Sequence, residues 1–227
     1  MTLKHLFSPC IAALFTVSAI AQTASQSAPL FDGKTLTGWY TYLKEDGKNK
    51  DSTGVFSIVD GSIRISPTKL GYLSTEKEYS NYKFSYSYRW AETTKTDVTR
   101  NSGLIYHAIG EDRMWCNGME LQMQQGDAGD LWLIPGTEAN AEITVKDASY
   151  GGVKKGTRIP KWEANEKPLG EWNEVVLSVR GNAFEHWVNG KKVLSGTTKE
   201  RIAGKIQFQA EGHEVWLRDL KLEPLTP

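Results

Sequence analysis

Short runs of strict two-residue alternation, cut by glycine turns, are the feature that most limits what this chain can fold into. From Met119 to Gln124, the apolar set Met119, Leu121 and Met123 alternates with Glu120, Gln122 and Gln124. A period of two puts these sets on opposite faces of a strand. Phe84-Ser85-Tyr86-Ser87-Tyr88-Arg89-Trp90 alternates in the same way, which predicts buried aromatics with Ser85, Ser87 and Arg89 on the other face. Asp60-Gly61, between Val55–Val59 and Ser62–Ile65, reads as a two-residue hairpin turn. So does Asn189-Gly190, between Ala183–Val188 and Lys191–Leu194. Both central positions of such a turn need the left-handed backbone that Asn, Asp and Gly adopt at low cost. Further strands are expected at 71–74, 101–107, 131–134, 141–145, 172–180, 205–210 and 214–218, while 40–53 reads as a surface loop and 127–130 as a turn. Long amphipathic helices, internal repeats and low-complexity tracts are absent from the pattern. The expected fold is all-β, a two-sheet antiparallel sandwich.

The amino terminus reads as an export signal. Lys4 and His5 precede the apolar run Ile11–Ile20, and Ala19-Ile20-Ala21 is a small-x-small cleavage site. We therefore expect a signal peptide over 1–21, a polar linker over 22–29 and a single domain over 30–227, in a periplasmic or secreted protein. The apolar run is too short to span a bilayer, and no later segment is long enough. Cleavage removes Cys10 and leaves Cys116 alone, so no disulfide framework is available; a buried thiol is the plainer reading than a nucleophile. Basic and acidic residues balance at 27 each, which points away from nucleic acid and anionic membranes. Eight Trp and nine Tyr exceed what a core of this size needs, and some suit stacking on sugar rings.

The chemistry-bearing residues narrow the function. His107, His186 and His213 lie far apart, outside any metal-ligand spacing. Asp127 and Asp130 offer a weak Ca²⁺ possibility, with an ordinary turn the plainer reading. Phosphate-cradling loops and a nucleophile elbow are missing. Glu120, Gln122 and Gln124 present one carboxylate and two amides in a row, a set suited to sugar hydroxyls; an ordinary half-exposed strand is the alternative. Laminarinase-type glycosidases carry Glu-x-Asp-x-x-Glu on one strand. The matching spacing here holds Glu120, Gln122 and Gln125, so ordinary double displacement from this strand lacks its second carboxylate.

Leu30-Phe31-Asp32-Gly33-Lys34-Thr35-Leu36-x-Gly38-Trp39 resembles the opening signature of the 3-keto-disaccharide hydrolase domain family. Thr75–Tyr79, Asn101–Leu104, Met119–Gln122, Gly170–Asn173, His186–Gly190, Ile206-x-Phe208-Gln209 and Trp216-x-Arg218-Asp219-Leu220 follow in the same order. The resemblance implies a concanavalin A-like jelly roll, export by Bacteroidetes or related bacteria, and cleavage of glycosides already oxidised to a ketone at C3. Such a ketone acidifies the C2 hydrogen, so the C1 oxygen can leave by elimination and water can add back. One base and donors for the enolate oxygen then suffice. On that implied chemistry Glu120 is the base. His107, placed by face parity, is its proton partner or the leaving-group acid. Arg218 or Arg89 holds the enolate oxygen, and Gln122, Gln124 and Gln209 hold hydroxyls. Trp115 and Trp132 are stacking candidates. A salt bridge from Glu120 to Arg89 or Arg218 is the structural alternative for that carboxylate. A noncatalytic carbohydrate-binding module and an assembly module in sugar uptake are the competing functions.

Overall fold

Alternation builds two antiparallel sheets. The structure, a computed structural model, describes residues 27–92, 98–134, 143–145, 148–150, 157–199 and 203–226. The expected signal peptide, most of the linker and residues 141–142 of one expected strand lie outside that set. The described strands are β1 (Ala28–Pro29), β2 (Trp39–Leu43), β3 (Gly47–Lys48), β4 (Phe56–Val59), β5 (Ser62–Ile65) and β6 (Gly71–Thr75). Then come β7 (Tyr82–Trp90), β8 (Gly103–Ile109), β9 (Asn117–Gln122), β10 (Leu131–Leu133), β11 (Ile143–Val145) and β12 (Ala148–Tyr150). The chain closes with β13 (Arg158–Ile159), β14 (Asn173–Arg180), β15 (Ala183–Val188), β16 (Lys191–Thr197), β17 (Lys205–Ala210) and β18 (Val215–Pro224). The first sheet runs β12-β11-β16-β15-β14-β7-β18-β5-β4, with β1 on β18; the second runs β13-β10-β9-β8-β17-β6-β2-β3. Hairpin pairs such as β14-β15-β16 and β8-β9-β10 are joined to the rest of their sheets by pairings between strands distant in the chain, β7 with β14 and β18 in one sheet and β17 with β8 and β6 in the other.

The core lies between the sheets. Phe84, Tyr86 and Tyr88 of β7 and Leu217 of β18 meet Leu104 and Tyr106 of β8, Leu121 of β9 and Phe208 of β17, all fully buried. Tyr86 and Phe208 pack edge to face across the layers at 4.9 Å between centroids. Each such buried side chain stabilises the fold by roughly 1.5–3 kcal/mol through apolar area removed from water. Both predicted hairpins form: Asp60 and Gly61 take φ 48° and 73°, and Asn189 and Gly190 take 49° and 78°.

One expectation changes. The expected loop at 40–53 contains β2 and β3. Trp39-Tyr40-Thr41-Tyr42-Leu43 sends Trp39 and Leu43 inward, and its β-forming side chains outweigh the polar residues that follow. Trp172, at the start of the strand expected over 172–180, sits partly exposed outside the first sheet, under the guanidinium of Arg218 at 4.0 Å. His186 proves to be a core residue with no solvent exposure: its Nδ1 pairs with Gly129 O at 2.9 Å and its Nε2 with Tyr106 Oη at 3.1 Å.

Candidate active site on the outer face of the second sheet

The inner residues of β9, β8 and β17 are apolar, so their alternate residues share the outer face. Register sets the rows. One row reads Trp132, Glu120, Ile105, Gln207, Ser74 and Tyr40 across β10, β9, β8, β17, β6 and β2. The adjacent row carries Gln122, Gly103, Gln209, Tyr72 and Tyr42. Backbone pairing continues past the strand ends, with Met123 N donating to Ser102 O and Gln125 N to Arg100 O. The same alternation therefore carries the face on to Gln124, Asn101 and Glu211.

Gly103 is the floor of this face. A Cβ there would lie 2.2 Å from Glu120 Oε1 and 2.3 Å from Gln209 Oε1, so the glycine's missing side chain leaves room for both. On the same face, Gln209 Oε1 and Nε2, Glu211 Oε2, Asn101 Oδ1 and Trp132 Nε1 are all buried and meet no hydrogen-bond partner among the described residues. Buried polar atoms are nearly always satisfied, and each orphan costs about 1–3 kcal/mol. Five on one face mark a place built to be completed by a polar ligand.

The electrostatics agree. Glu120 is buried without an ion pair among the described residues. Burial first, and the charge of Glu211 second, push its carboxyl up to about 8. The Gln209 amide faces it without hydrogen-bond geometry and relieves it little. Burial likewise pushes Glu211 up to about 7. Two mutually repelling carboxyls on this face are therefore tuned to exchange protons near neutrality.

A wall borders the face. The segment 110–116 between β8 and β9 folds back over it. Asp112 accepts hydrogen bonds from Tyr40 Oη at 2.5 Å, Tyr72 Oη at 2.8 Å and Lys48 Nζ at 2.9 Å. Burial pushes the Asp112 carboxyl up, but these donors outweigh it and hold the group below the usual range. At the far end of the segment, Cys116 Sγ donates to Gln207 Oε1 at 2.8 Å, and burial pushes the thiol up to about 12. Cys116 is thus an inert buried thiol, packed with Ile105, Ala108 and Ile134. A cleft of about 400 Å³ at the edge of the sandwich, lined by residues that include Pro67, Ala91, Arg100 and His213, contains none of the residues of this face.

The expected site residues separate. Glu120, Gln209 and Trp132 come together, Trp132 lying directly opposite Glu120 in register. Gln122 and Gln124 share the face but serve the following turn. Gln122 Oε1 accepts from the Met123 and Gln124 amides at 2.8 Å, and Gln124 Nε2 donates to Asp127 at 2.8 Å. Trp115, 38 % exposed, lies in the wall segment with φ 57°. His107 sits at the irregularity between Tyr106 and Ile109, where φ 55° breaks the alternation that parity relied on; its ring lies 5.0 Å from that of Tyr106. Gly204 permits that bend, since a Cβ there would strike the His107 backbone at 2.4 Å.

Arg89 and Arg218 require correction. They belong to β7 and β18 of the first sheet and alternate with the core residues Tyr88, Trp90 and Leu217. Both therefore point out of the opposite surface, where they stack on Trp172 at 5.0 and 4.0 Å. Neither can reach Glu120, as enolate donor or as salt-bridge partner. Asp127 and Asp130 form a turn whose carboxylates meet cations from the chain itself. Arg158 contacts Asp130 at 2.5 Å and Asp127 at 2.6 Å, and Lys161 Nζ lies 3.3 Å from Asp130.

Glu211 was missed, although the signal was present. The alternation Gln207, Gln209, Glu211 continues one residue past the expected strand end at Ala210. Tyr40 was missed because β2 read as a loop; Tyr72 lies on the expected strand at 71–74, but its place beside Tyr40 depends on the β2–β6 pairing.

Two packed antiparallel sheets of this topology make a jelly-roll sandwich. The chain belongs to the 3-keto-alpha-glucoside-1,2-lyase-like domain family, whose model matches residues 26–223. It is 23% identical to a 3-keto-disaccharide hydrolase of Bacteroides thetaiotaomicron over 241 residues, covering 86% of this chain and 77% of that protein. A crystal structure from Parabacteroides distasonis, described as a candidate glycosyl hydrolase, superposes with a TM-score of 0.62 at 22% identity, covering 88% and 94% of the two chains. A Bacillus subtilis protein of galectin-like fold superposes at 0.53 and 11% identity, covering 87% and 94%. These likenesses establish the jelly-roll fold.

Proposed function

We propose that this chain is an exported carbohydrate-active enzyme that cleaves 3-keto-glycosides, with Glu120 as the base. The observation that carries this reading is the set of orphaned buried polar atoms on the outer face of the second sheet, which also bears a carboxyl that burial has made strongly basic. The family and the Bacteroides relative supply the substrate class. Glu120 removes the C2 proton, and the electron pair passes into the ketone as an enolate. Collapse of the enolate expels the C1 oxygen and forms the C1–C2 double bond. Water then adds at C1 and a proton returns to C2, giving net hydrolysis; release before water adds gives a lyase. With Arg89 and Arg218 on the opposite surface, the free donors Gln209 Nε2 and Trp132 Nε1 are the groups suited to hold the enolate or neighbouring hydroxyls.

A panel of 3-keto-glucosides with unoxidised glycosides as controls tests the reading. Wild type is expected to cleave the keto substrates alone, and Glu120→Gln to lose roughly 10²–10⁴-fold in rate. Cleavage of the unoxidised controls, or full activity in the variant, overturns it. Amino-terminal sequencing of the exported protein, expected to begin at Gln22, tests the signal.

A further inference from the structure

We propose that Glu211 is the acid that protonates the departing glycosidic oxygen, while Glu120 handles the C2 proton. The assignment rests on the keto-glycoside reading above and adds a residue to it. Glu211 continues the outward-facing series of β17 after Gln207 and Gln209, so it faces the same side as Glu120, with Gly103 and Gln209 between them. Its Oε2 is buried and meets no donor, and none of the ion pairs among the described residues involves it. A carboxyl kept from both water and cations holds its proton more tightly, as an acid in a neutral medium must. Its field reaches Glu120, so ionisation of one group discourages ionisation of the other. That coupling favours a state in which the pair holds a single proton; Glu120, the more strongly raised of the two, holds most of it in the free protein, and the reacting form is the one in which that proton lies on Glu211 and Glu120 is ionised.

The step balances. Glu120 takes the C2 proton, the C1–O bond breaks as the C1–C2 double bond forms, and the Glu211 O–H proton passes to the departing oxygen. In the second half, Glu211 takes a proton from the water that adds at C1, and Glu120 returns its proton to C2. Both residues end as they began, and one water is consumed.

Leaving-group dependence separates this role from a structural one. Two 3-keto-glucosides are compared, one with a 4-nitrophenyl aglycone, which departs without a proton, and one with a methyl aglycone, which needs one. C2–H exchange into deuterated water is followed on both. In single-turnover measurements of aglycone release, which stop before hydration, Glu211→Gln is expected to lose about 10²-fold or more on the methyl substrate and less than about threefold on the nitrophenyl substrate, with C2 exchange retained. Glu120→Gln is expected to lose exchange and both cleavages. Glu211→Asp, which keeps an acid, is expected to recover part of the methyl-substrate rate. Equal slowing of Glu211→Gln on both aglycones, or loss of its C2 exchange, overturns the assignment. If wild type neither exchanges C2 nor cleaves any keto substrate, the keto-glycoside reading itself fails and takes this role with it.

Discussion

Glu120 and Gln209 lean toward each other from β9 and β17 across Gly103 of β8, each placing Oε1 within 2.3 Å of where a Cβ on residue 103 would sit. The two side chains occupy space that only glycine leaves open.

Gly103→Ala tests that relationship. The added methyl meets two polar side-chain ends and forces them from the floor of the face. Overpacking of this kind costs about 1–3 kcal/mol. We expect a lower urea midpoint and a loss of turnover larger than the stability change alone produces. Unaltered kinetics would show that the Glu120–Gln209 arrangement is not needed.

The ionisation of Glu120 couples stability to pH. Its folded-state carboxyl titrates at about 8, against about 4.3 in an unfolded chain. Between those values the folded protein binds the extra proton, so stability is fullest below the lower value and is lost as pH rises toward 8. Glu120→Gln removes this loss. The variant is expected to be more stable than wild type at pH 8, by on the order of a few kcal/mol, with the difference shrinking toward pH 4. Denaturant midpoints across that range measure it. In wild type, kcat/KM on an aglycone that needs a proton to depart is expected to follow a bell with its maximum between about pH 7 and 8, where the two carboxyls share one proton.

His186 acts in the opposite sense. Burial holds its imidazole down at about 4, against about 6.5 when unfolded. The unfolded state therefore binds the extra proton between these values, and stability present above 6.5 is lost as pH falls toward 4. His186→Asn is expected to be weaker at neutral pH but to lack this acid limb. The Glu120 and His186 effects oppose each other from about pH 4.5 to 6.5, so single variants followed by thermal melts are needed to resolve them.

Asp112 anchors the wall through three donors. Asp112→Ala leaves the Tyr40 and Tyr72 hydroxyls without their acceptor, at a cost of about 1–3 kcal/mol. The segment bearing Trp115 loses its tether to β2 and β6. Steady-state kinetics are expected to show a raised KM with a smaller change in kcat. A change confined to kcat would argue against a positioning role.

Asp130 is fully buried and meets Arg158 and Lys161. Asp130→Ala leaves those cations facing a vacated site and is expected to cost about 3–5 kcal/mol, as removal of one partner from a buried ion pair does. Because those cations already take the carboxylates, the melting temperature of wild type is expected to be unchanged by EDTA. A chelator-induced drop would point to an ion that competes with Arg158 and Lys161.

What the sequence determined by itself is most of the strand content, β2 and β3 excepted, the two hairpins and the face assignment within regular strands. These are local: alternation of Met119–Gln124 or Phe84–Trp90 decides inward and outward positions without reference to other strands, and Asn189-Gly190 encodes its own turn. Family motifs likewise pointed to the stretch around Glu120. Tertiary structure decided which outward faces lie together. Glu120, Gln209, Glu211 and Trp132 meet because β9, β8, β17 and β10 are neighbours in one sheet, while Arg89 and Arg218 belong to the other. Parity within a strand cannot tell one outer surface of a sandwich from the other. It also fails where a bulge interrupts it, as at His107. The burial that makes Glu120 and Glu211 basic comes from residues distant in the chain, since desolvation depends on what covers a group rather than on its sequence neighbours.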